Sequence, residues 1–93
     1  MRIATFNLEN FDDEAGQDLS LATRVAIMGP QLERVAADVL CLQEIHSQDS
    51  PQGRTLAALD SLLAGTNYQD HQRLTTTTTG GDLYQERNLV ILS

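Results

Sequence analysis

The sequence predicts an α/β (α+β) fold that opens with a strand–helix–strand unit. Three observations predict it. Residues 2–8 alternate in the manner of a β-strand, residues 21–35 carry an apolar stripe at helical spacing, and residues 38–45 form an apolar run. A strand, a helical crossover and a second strand most simply form a right-handed unit with parallel strands.

The composition fits one small domain and argues against several classes of protein. The chain has 93 residues, and its apolar share of 41% is ordinary for a globular protein. A net charge of −7 argues against a freestanding nucleic-acid-binding module, which would carry a basic patch. Any phosphodiester that meets this surface needs a divalent cation to bridge the negative charges.

The single cysteine and the lack of long apolar segments indicate a compartment. Cys41 excludes an intramolecular disulfide and a cysteine metal cluster, and its apolar surroundings favour a buried core position. No stretch approaches the ~18 apolar residues of a membrane span, and no signal-peptide pattern is visible. We therefore expect a cytoplasmic protein without a membrane span, and no partner protein is evident.

The first strand and the first helix have clear faces. A helix capped by Asp18 or Ser20 is expected after an acidic loop at residues 10–16, and Gly29-Pro30 should kink it or divide it into two short helices. The two faces of the strand are Ile3, Thr5 and Asn7 on one side and Ala4, Phe6 and Leu8 on the other. The helical stripe consists of Leu21, Val25, Met28, Leu32 and Val35.

The rest of the chain alternates between short elements and polar connections. The apolar run at 38–45 predicts a strand covered on both faces. Residues 47–53 read as a polar loop, with Pro51 placed to start a short helix that Gly65 ends. A weak strand is expected at residues 67–74 around Tyr68, then a threonine- and glycine-rich hairpin connection at 75–81, and a strong strand at 88–93.

Two polar side chains, Asn7 and Glu44, follow the apolar parts of the first two strands. Because parallel strands carry their C-terminal ends to one edge of a sheet, both side chains are expected at that edge. Carboxylate and amide oxygens suit a hard cation such as Mg²⁺. Each residue also has a purely structural interpretation. Glu44 could be a solvated strand end or a helix-capping partner, and Asn7 could begin a turn.

Other polar residues have a structural reading that we favour. His46 could contact phosphate, but it more simply opens a polar loop. Asp12, Asp13 and Glu14 read as a solvated acidic loop rather than a metal site. His71 has no visible partner, and no arrangement of Ser, His and Asp or of Cys and His stands out.

The two strand motifs, in this order and spacing, resemble the opening of the endonuclease/exonuclease/phosphatase family, which has a DNase I-like fold. The first motif is Ile-Ala-Thr-Phe-Asn-Leu-Glu-Asn at residues 3–10, and the second is Ala-Asp-Val-Leu-Cys-Leu-Gln-Glu-Ile at residues 37–45. Residues 87–93 are similar to a later strand of the family. The resemblance implies a four-layer α/β-sandwich, of which residues 1–93 would be the N-terminal portion.

The resemblance also implies a chemistry. Members of the family are Mg²⁺-dependent hydrolases of phosphodiesters or phosphomonoesters. The family's metal ligand would be Glu44, and Asn7 would hold the metal or the scissile phosphate. Mn²⁺ could replace Mg²⁺, and the substrate would be a phosphate ester, with nucleic acid among the candidates.

The chain departs from the family pattern in two motifs. The family's Ser-Asp-His-type motif and its central Asp-x-Asn motif have no counterpart in residues 1–93. We therefore expect an N-terminal fragment that is inactive by itself, or alternatively a degenerate member kept as an interaction module. DNA, RNA, phosphoinositides and sphingomyelin remain open as substrates.

Overall fold

The computed structural model describes residues 1–13 and 19–93, and these residues form a mixed α+β fold. A four-stranded sheet carries two helices on one face, and a two-stranded sheet lies beside it. The elements in chain order are β1 (Ile3–Phe11), α1 (Leu21–Val35), β2 (Val39–Ile45), β3 (Gln48–Ser50), β4 (Gly53–Thr55), α2 (Ala57–Leu63), β5 (Arg73–Thr75) and β6 (Asn88–Leu92).

The predicted parallel unit is confirmed, because β1 and β2 are adjacent and parallel. Their register runs from Ile3 opposite Val39 to Asn7 opposite Gln43. The sheet is mixed, since β6 pairs antiparallel with β2, and β5 pairs antiparallel with β6. The strand order is β1-β2-β6-β5, so β2 is central and β1 lies at an edge.

One face of the sheet is buried under the helices. The alternation predicted for β1 is confirmed, with Leu8 buried and Ile3, Thr5 and Asn7 exposed. Cover on both faces of β2 was expected, but the described residues cover only one face, because burial alternates along that strand. The buried core combines sheet residues Leu40, Leu42, Val90 and Leu92 with helix residues Leu32, Leu59, Leu62 and Leu63.

The opposite face of the sheet is open and apolar. Leu74, Ile3, Leu89 and Ile91 are 69%, 64%, 51% and 39% exposed. Cys41 pairs with Ile91 and is half-buried on this open face. The expectation that Cys41 is a buried core residue is therefore wrong. A sheet needs cover on an apolar face, because exposed apolar area of this kind favours association. No helix in the described residues is long and apolar enough to cross a membrane.

Helix α1 is one continuous helix, so the alternative of two short helices is wrong. The Ser20 hydroxyl accepts a hydrogen bond from the Thr23 N–H, which confirms Ser20 as the N-cap, while Asp18 lies outside the described residues. Pro30 lies inside the helix. The residue before a proline usually avoids helical geometry because its Cβ meets the proline ring, and Gly29 has no Cβ.

The second half of the chain differs from prediction in three places. Residues 47–53 are not simply a loop, because β3 and β4 pair as a hairpin. Pro51 lies in that turn, and α2 begins later, at Ala57. Of the weak strand expected at residues 67–74, only the last two residues belong to a strand, because β5 begins at Arg73 and Tyr68 lies in turns. Gly65, with φ of 76°, follows α2 as predicted, and the threonine-rich segment does connect two antiparallel strands.

Candidate functional site

The candidate site lies at the edge of the sheet where β1 and β2 reach their C-terminal ends. Asn7 is the register partner of Gln43, and Glu44 follows Gln43 directly. The parallel pairing therefore brings the two residues singled out from the sequence to the same edge. Asn7 is exposed, and Glu44 is half-buried.

Unusual backbone conformations concentrate at this edge. Glu9, Asn10, Glu44 and Arg87 have φ values of 51°, 54°, 60° and 57°, in the left-handed region. Among described non-glycine residues the only other case is Ala36, at the end of α1. Left-handed geometry costs an L-residue about 1–2 kcal/mol, and such strain persists where surrounding structure enforces it. Backbone strain of this kind is often found at functional sites.

Irregular pairing explains why Glu44 adopts this geometry. Between β1 and β2 the register shifts, so that three residues of β1, 8–10, face Glu44 alone. Between β2 and β6 it shifts again, because Leu42 faces Val90 and Ile45 faces Asn88. Glu44 therefore lies opposite a bulge in β1 and within a bulge of β2 relative to β6. Bulges break the alternation of a strand and redirect side chains.

The side chains of Asn7 and Glu44 retain coordinating capacity. The Oδ1 atom of Asn7 accepts a hydrogen bond from the Glu9 N–H at 2.8 Å, which fixes the carboxamide and leaves a second lone pair. Over residues 1–13 and 19–93, no hydrogen bond or ion pair engages the Glu44 carboxylate. Both carboxylate oxygens of Glu44 and the amide oxygen of Asn7 are therefore available to a ligand at the edge.

Asn10 and Arg87 extend the site, and the sequence interpretation gave neither a role. The Arg87 Nε–H donates to Asn10 Oδ1 at 3.3 Å, and His46 Nε2 lies 3.4 Å from the same oxygen. A signal for Asn10 existed, because asparagine tolerates left-handed geometry better than most residues. Arg87 directly precedes β6, so the antiparallel return of that strand brings its charge to this edge.

Asp12 is buried, so the expectation of a solvated acidic loop is wrong for this residue. Its carboxylate accepts hydrogen bonds from His46 Nδ1 at 3.0 Å, Gln48 Nε2 at 3.0 Å and the Asp13 N–H at 2.7 Å. His46 thus donates to a carboxylate rather than only opening a loop. Asp13 is exposed as expected, and Glu14 lies outside the described residues.

The two neighbouring carboxyl groups have pKa values displaced in opposite directions. Burial by itself raises the pKa of Asp12, but the hydrogen bonds from Gln48, from the Asp13 N–H and from His46 outweigh burial and lower the pKa below its usual value. Burial first, and then the hydrogen bond and the charge of Asp12, raise the pKa of Asp13. The ionised form of Asp12 is therefore favoured by folding, and that of Asp13 is disfavoured.

Stability should depend on pH in opposite ways at these two positions. Because folding lowers the pKa of Asp12, its contribution is complete above the unfolded value of about 3.9 and is lost as the pH falls through the folded value. Asp12→Asn should therefore be less stable than wild type at pH 7, by a margin that shrinks below pH 4. Urea unfolding between pH 2.5 and 7 measures this margin.

Asp13→Asn provides the matched control. Because the raised pKa makes ionised Asp13 unfavourable in the folded state, this variant should be more stable than wild type at neutral pH. Its advantage should disappear on acidification. A margin of the same sign and pH dependence for both variants would contradict the hydrogen-bonding origin of the Asp12 shift.

The donor set limits which cation could bind. In the described ranges, 1–13 and 19–93, no group of three or more His, Cys, Asp or Glu could hold a metal ion. A cation at this edge would depend on Glu44 and Asn7, completed by water. Mg²⁺ fits such a site, because it commonly uses one or two carboxylates and keeps several waters.

Comparisons of the chain with protein-family models, with curated proteins and with solved structures gave no match. The two strand motifs and the geometry of the edge they form are therefore the features of this chain that bear on its function.

Proposed function

We propose that this chain is part of a Mg²⁺-dependent phosphoesterase of the endonuclease/exonuclease/phosphatase type, with a nuclease somewhat ahead of a phosphatase. One observation carries the proposal. Asn7 and Glu44 lie at the same sheet edge, and the Glu44 carboxylate is without a hydrogen bond or ion pair from any described residue. A half-buried glutamate on strained backbone, at the same sheet edge as a fixed carboxamide, suits cation binding better than a solvated strand end does.

Each side chain at the edge has a distinct task in this proposal. Glu44 holds Mg²⁺ through its negative charge, and Asn7 contributes an amide oxygen to the metal or a hydrogen bond to the phosphate. When bound, Mg²⁺ would polarise a phosphoryl oxygen and stabilise developing negative charge. Arg87 would supply a guanidinium for phosphate oxygens, a geometry that suits bidentate hydrogen bonding. The edge thus offers positive charge to a phosphate ester on an otherwise acidic chain.

The open face of the sheet supports the four-layer sandwich as the wider architecture. Ile3, Leu74, Leu89 and Ile91 present an apolar surface on the side away from the helices. In a sandwich, a second sheet packs about 10 Å from the first and covers such a face. We therefore propose that this sheet and its two helices form two layers of the four-layer sandwich.

The proposed metal site predicts a specific response to Mn²⁺, which substitutes for Mg²⁺ at oxygen sites and broadens nearby nuclear magnetic resonance signals. Titration of the ¹⁵N-labelled chain should broaden the amide signals of Asn7 and residues 43–45 first. Glu44→Gln should abolish this local broadening because it removes the only negative charge among the two donors. Asn7→Ala should weaken binding less, by about tenfold, because it removes one neutral oxygen.

Two controls separate a specific site from attraction to an acidic surface. Excess Mg²⁺ should compete with Mn²⁺ and restore the signals. Glu33→Gln changes the net charge by the same amount on the exposed side of α1, and it should leave the broadening at residues 43–45 unchanged. Wild-type broadening at that edge in Glu44→Gln would reject Glu44 as the ligand.

A further inference from the structure

Asn88 is a buried carboxamide with every hydrogen-bonding group satisfied. It is 0% exposed, and its Nδ2 donates to the Ile45 carbonyl at 3.0 Å and to the Tyr84 carbonyl at 2.8 Å. Its Oδ1 accepts from the Tyr84 N–H at 3.0 Å and from the Thr76 hydroxyl at 3.3 Å. A buried polar group with this many partners fixes backbone geometry strongly.

These partners lie next to strained residues of the candidate site. Ile45 directly follows Glu44, and Arg87 directly precedes Asn88. Ile45 and Asn88 are also register partners in the β2–β6 ladder. On the other side of β2, the His46 N–H donates to the Phe11 carbonyl at 2.9 Å. The chain immediately after Glu44 is therefore held from both neighbouring strands.

We propose that Asn88 is a positioning residue of the cation site, which holds Glu44 and Arg87 in their left-handed conformations from within the core. The inference rests on the proposed function, because it assigns Asn88 a role toward the same metal. Asn88 does not touch the metal or the substrate. It acts through the Ile45 carbonyl, one residue beyond the Glu44 backbone, and through the chain that turns into β6 at Arg87.

The chemistry at this position requires a carboxamide. Two backbone carbonyls accept from Nδ2, and one N–H and one hydroxyl donate to Oδ1, so the side chain needs both donors and acceptors. Aspartate has the same shape but places an acceptor against the carbonyls of Ile45 and Tyr84. Asn88→Asp therefore removes two donated hydrogen bonds with little change in volume.

The test compares Mn²⁺ affinity at residues 43–45 in folded wild type, Asn88→Asp and a matched control. The control is Leu59→Ala, a buried residue of α2 whose loss should lower stability without reaching the site. Asn88→Asp should weaken Mn²⁺ binding by about tenfold, the scale seen when groups supporting a metal ligand are removed. It should also shift the amide signals of Glu44 and Arg87. Leu59→Ala should lower the melting temperature and leave Mn²⁺ affinity unchanged.

Each outcome is decisive. Unchanged Mn²⁺ affinity in folded Asn88→Asp would overturn the positioning role, as would an equal loss of affinity in Leu59→Ala. If Asn88→Asp does not fold, Thr76→Val replaces it, because it removes only one hydroxyl donor to Asn88 and one acceptor for Leu89. That variant should weaken Mn²⁺ binding two- to threefold, and unchanged affinity would contradict the role. Absence of broadening in wild type would instead reject the metal site itself, and this role with it.

Discussion

Tyr68→Ala is expected to lower the free energy of unfolding by about 3–5 kcal/mol, the usual cost of truncating a buried aromatic side chain. Tyr68 is 1% exposed. Its hydroxyl donates to the Leu32 carbonyl at 2.8 Å and accepts from the Ala37 N–H at 2.9 Å. A small domain has a total stability of about 5–15 kcal/mol, so this loss would leave it close to unfolding.

Tyr68→Phe separates the two hydrogen bonds from the packing. The ring remains, but the Ala37 N–H and the Leu32 carbonyl lose their partner inside the protein, which should cost about 1–3 kcal/mol. Tyr84→Phe is the control, because Tyr84 is 47% exposed and uses backbone atoms in its hydrogen bonds. It should change stability by less than about 0.5 kcal/mol. Urea denaturation measures the free energy of unfolding of all three variants. Equal losses of stability in Tyr68→Phe and Tyr84→Phe would contradict the role of the Tyr68 hydroxyl.

Tyr68 also matters for the position of the candidate site. Its hydroxyl joins the last turn of α1 to the residues that lead into β2. That connection determines where β2 begins beside β1, because Arg2 accepts through its carbonyl from the Asp38 and Val39 N–H groups. A change in this connection would shift the register of β2 along β1, and so the position of Glu44 relative to Asn7. The fold therefore holds the site from two buried side chains, Tyr68 at one end of β2 and Asn88 at the other.

Short-range pattern was sufficient to predict most of the elements. Alternation identified β1, the helical stripe identified α1, and the apolar runs identified β2 and β6. The parallel pairing of β1 with β2 followed because a helix-length crossover leaves few other arrangements. Asn7 and Glu44 could be placed at one edge for the same reason. These features depend on local periodicity and on general rules of chain connection, both of which a single sequence contains.

Features that depend on distant partners could not be predicted. The burial of Asp12 requires His46 and Gln48, more than 30 residues away in the chain. Asn88 is the first residue of the strand predicted at 88–93, and nothing local indicates that its carboxamide reaches the Ile45 carbonyl. The bulge at Glu44 arises from the registers of three strands together. Tyrosine is common in β-strands, but the Tyr68 hydroxyl donates a hydrogen bond to the Leu32 carbonyl of α1.

Glu44→Gln should lower the rate of Mg²⁺-dependent hydrolysis by at least about 10³-fold, which corresponds to about 4 kcal/mol of lost transition-state stabilisation. The measurement uses the protein made from the complete reading frame that contains residues 1–93, with a chromogenic phosphodiester and the matching phosphomonoester as substrates. The loss is large because the proposed site has one carboxylate among its described donors, and glutamine keeps the shape but not the charge.

The pattern of losses across the edge tests the division of roles. Asn7→Ala should cost about tenfold, because a carboxamide adds orientation but does not neutralise charge. Arg87→Lys should raise KM more than it lowers kcat, because lysine keeps the charge but cannot form the paired hydrogen bonds of a guanidinium. Glu33→Gln should have no effect, since its carboxylate lies on the exposed side of α1. Hydrolysis by Glu44→Gln at the wild-type rate would contradict the phosphoesterase assignment. Loss of activity only in variants of this edge would place the reaction at the bulge where β1, β2 and β6 meet.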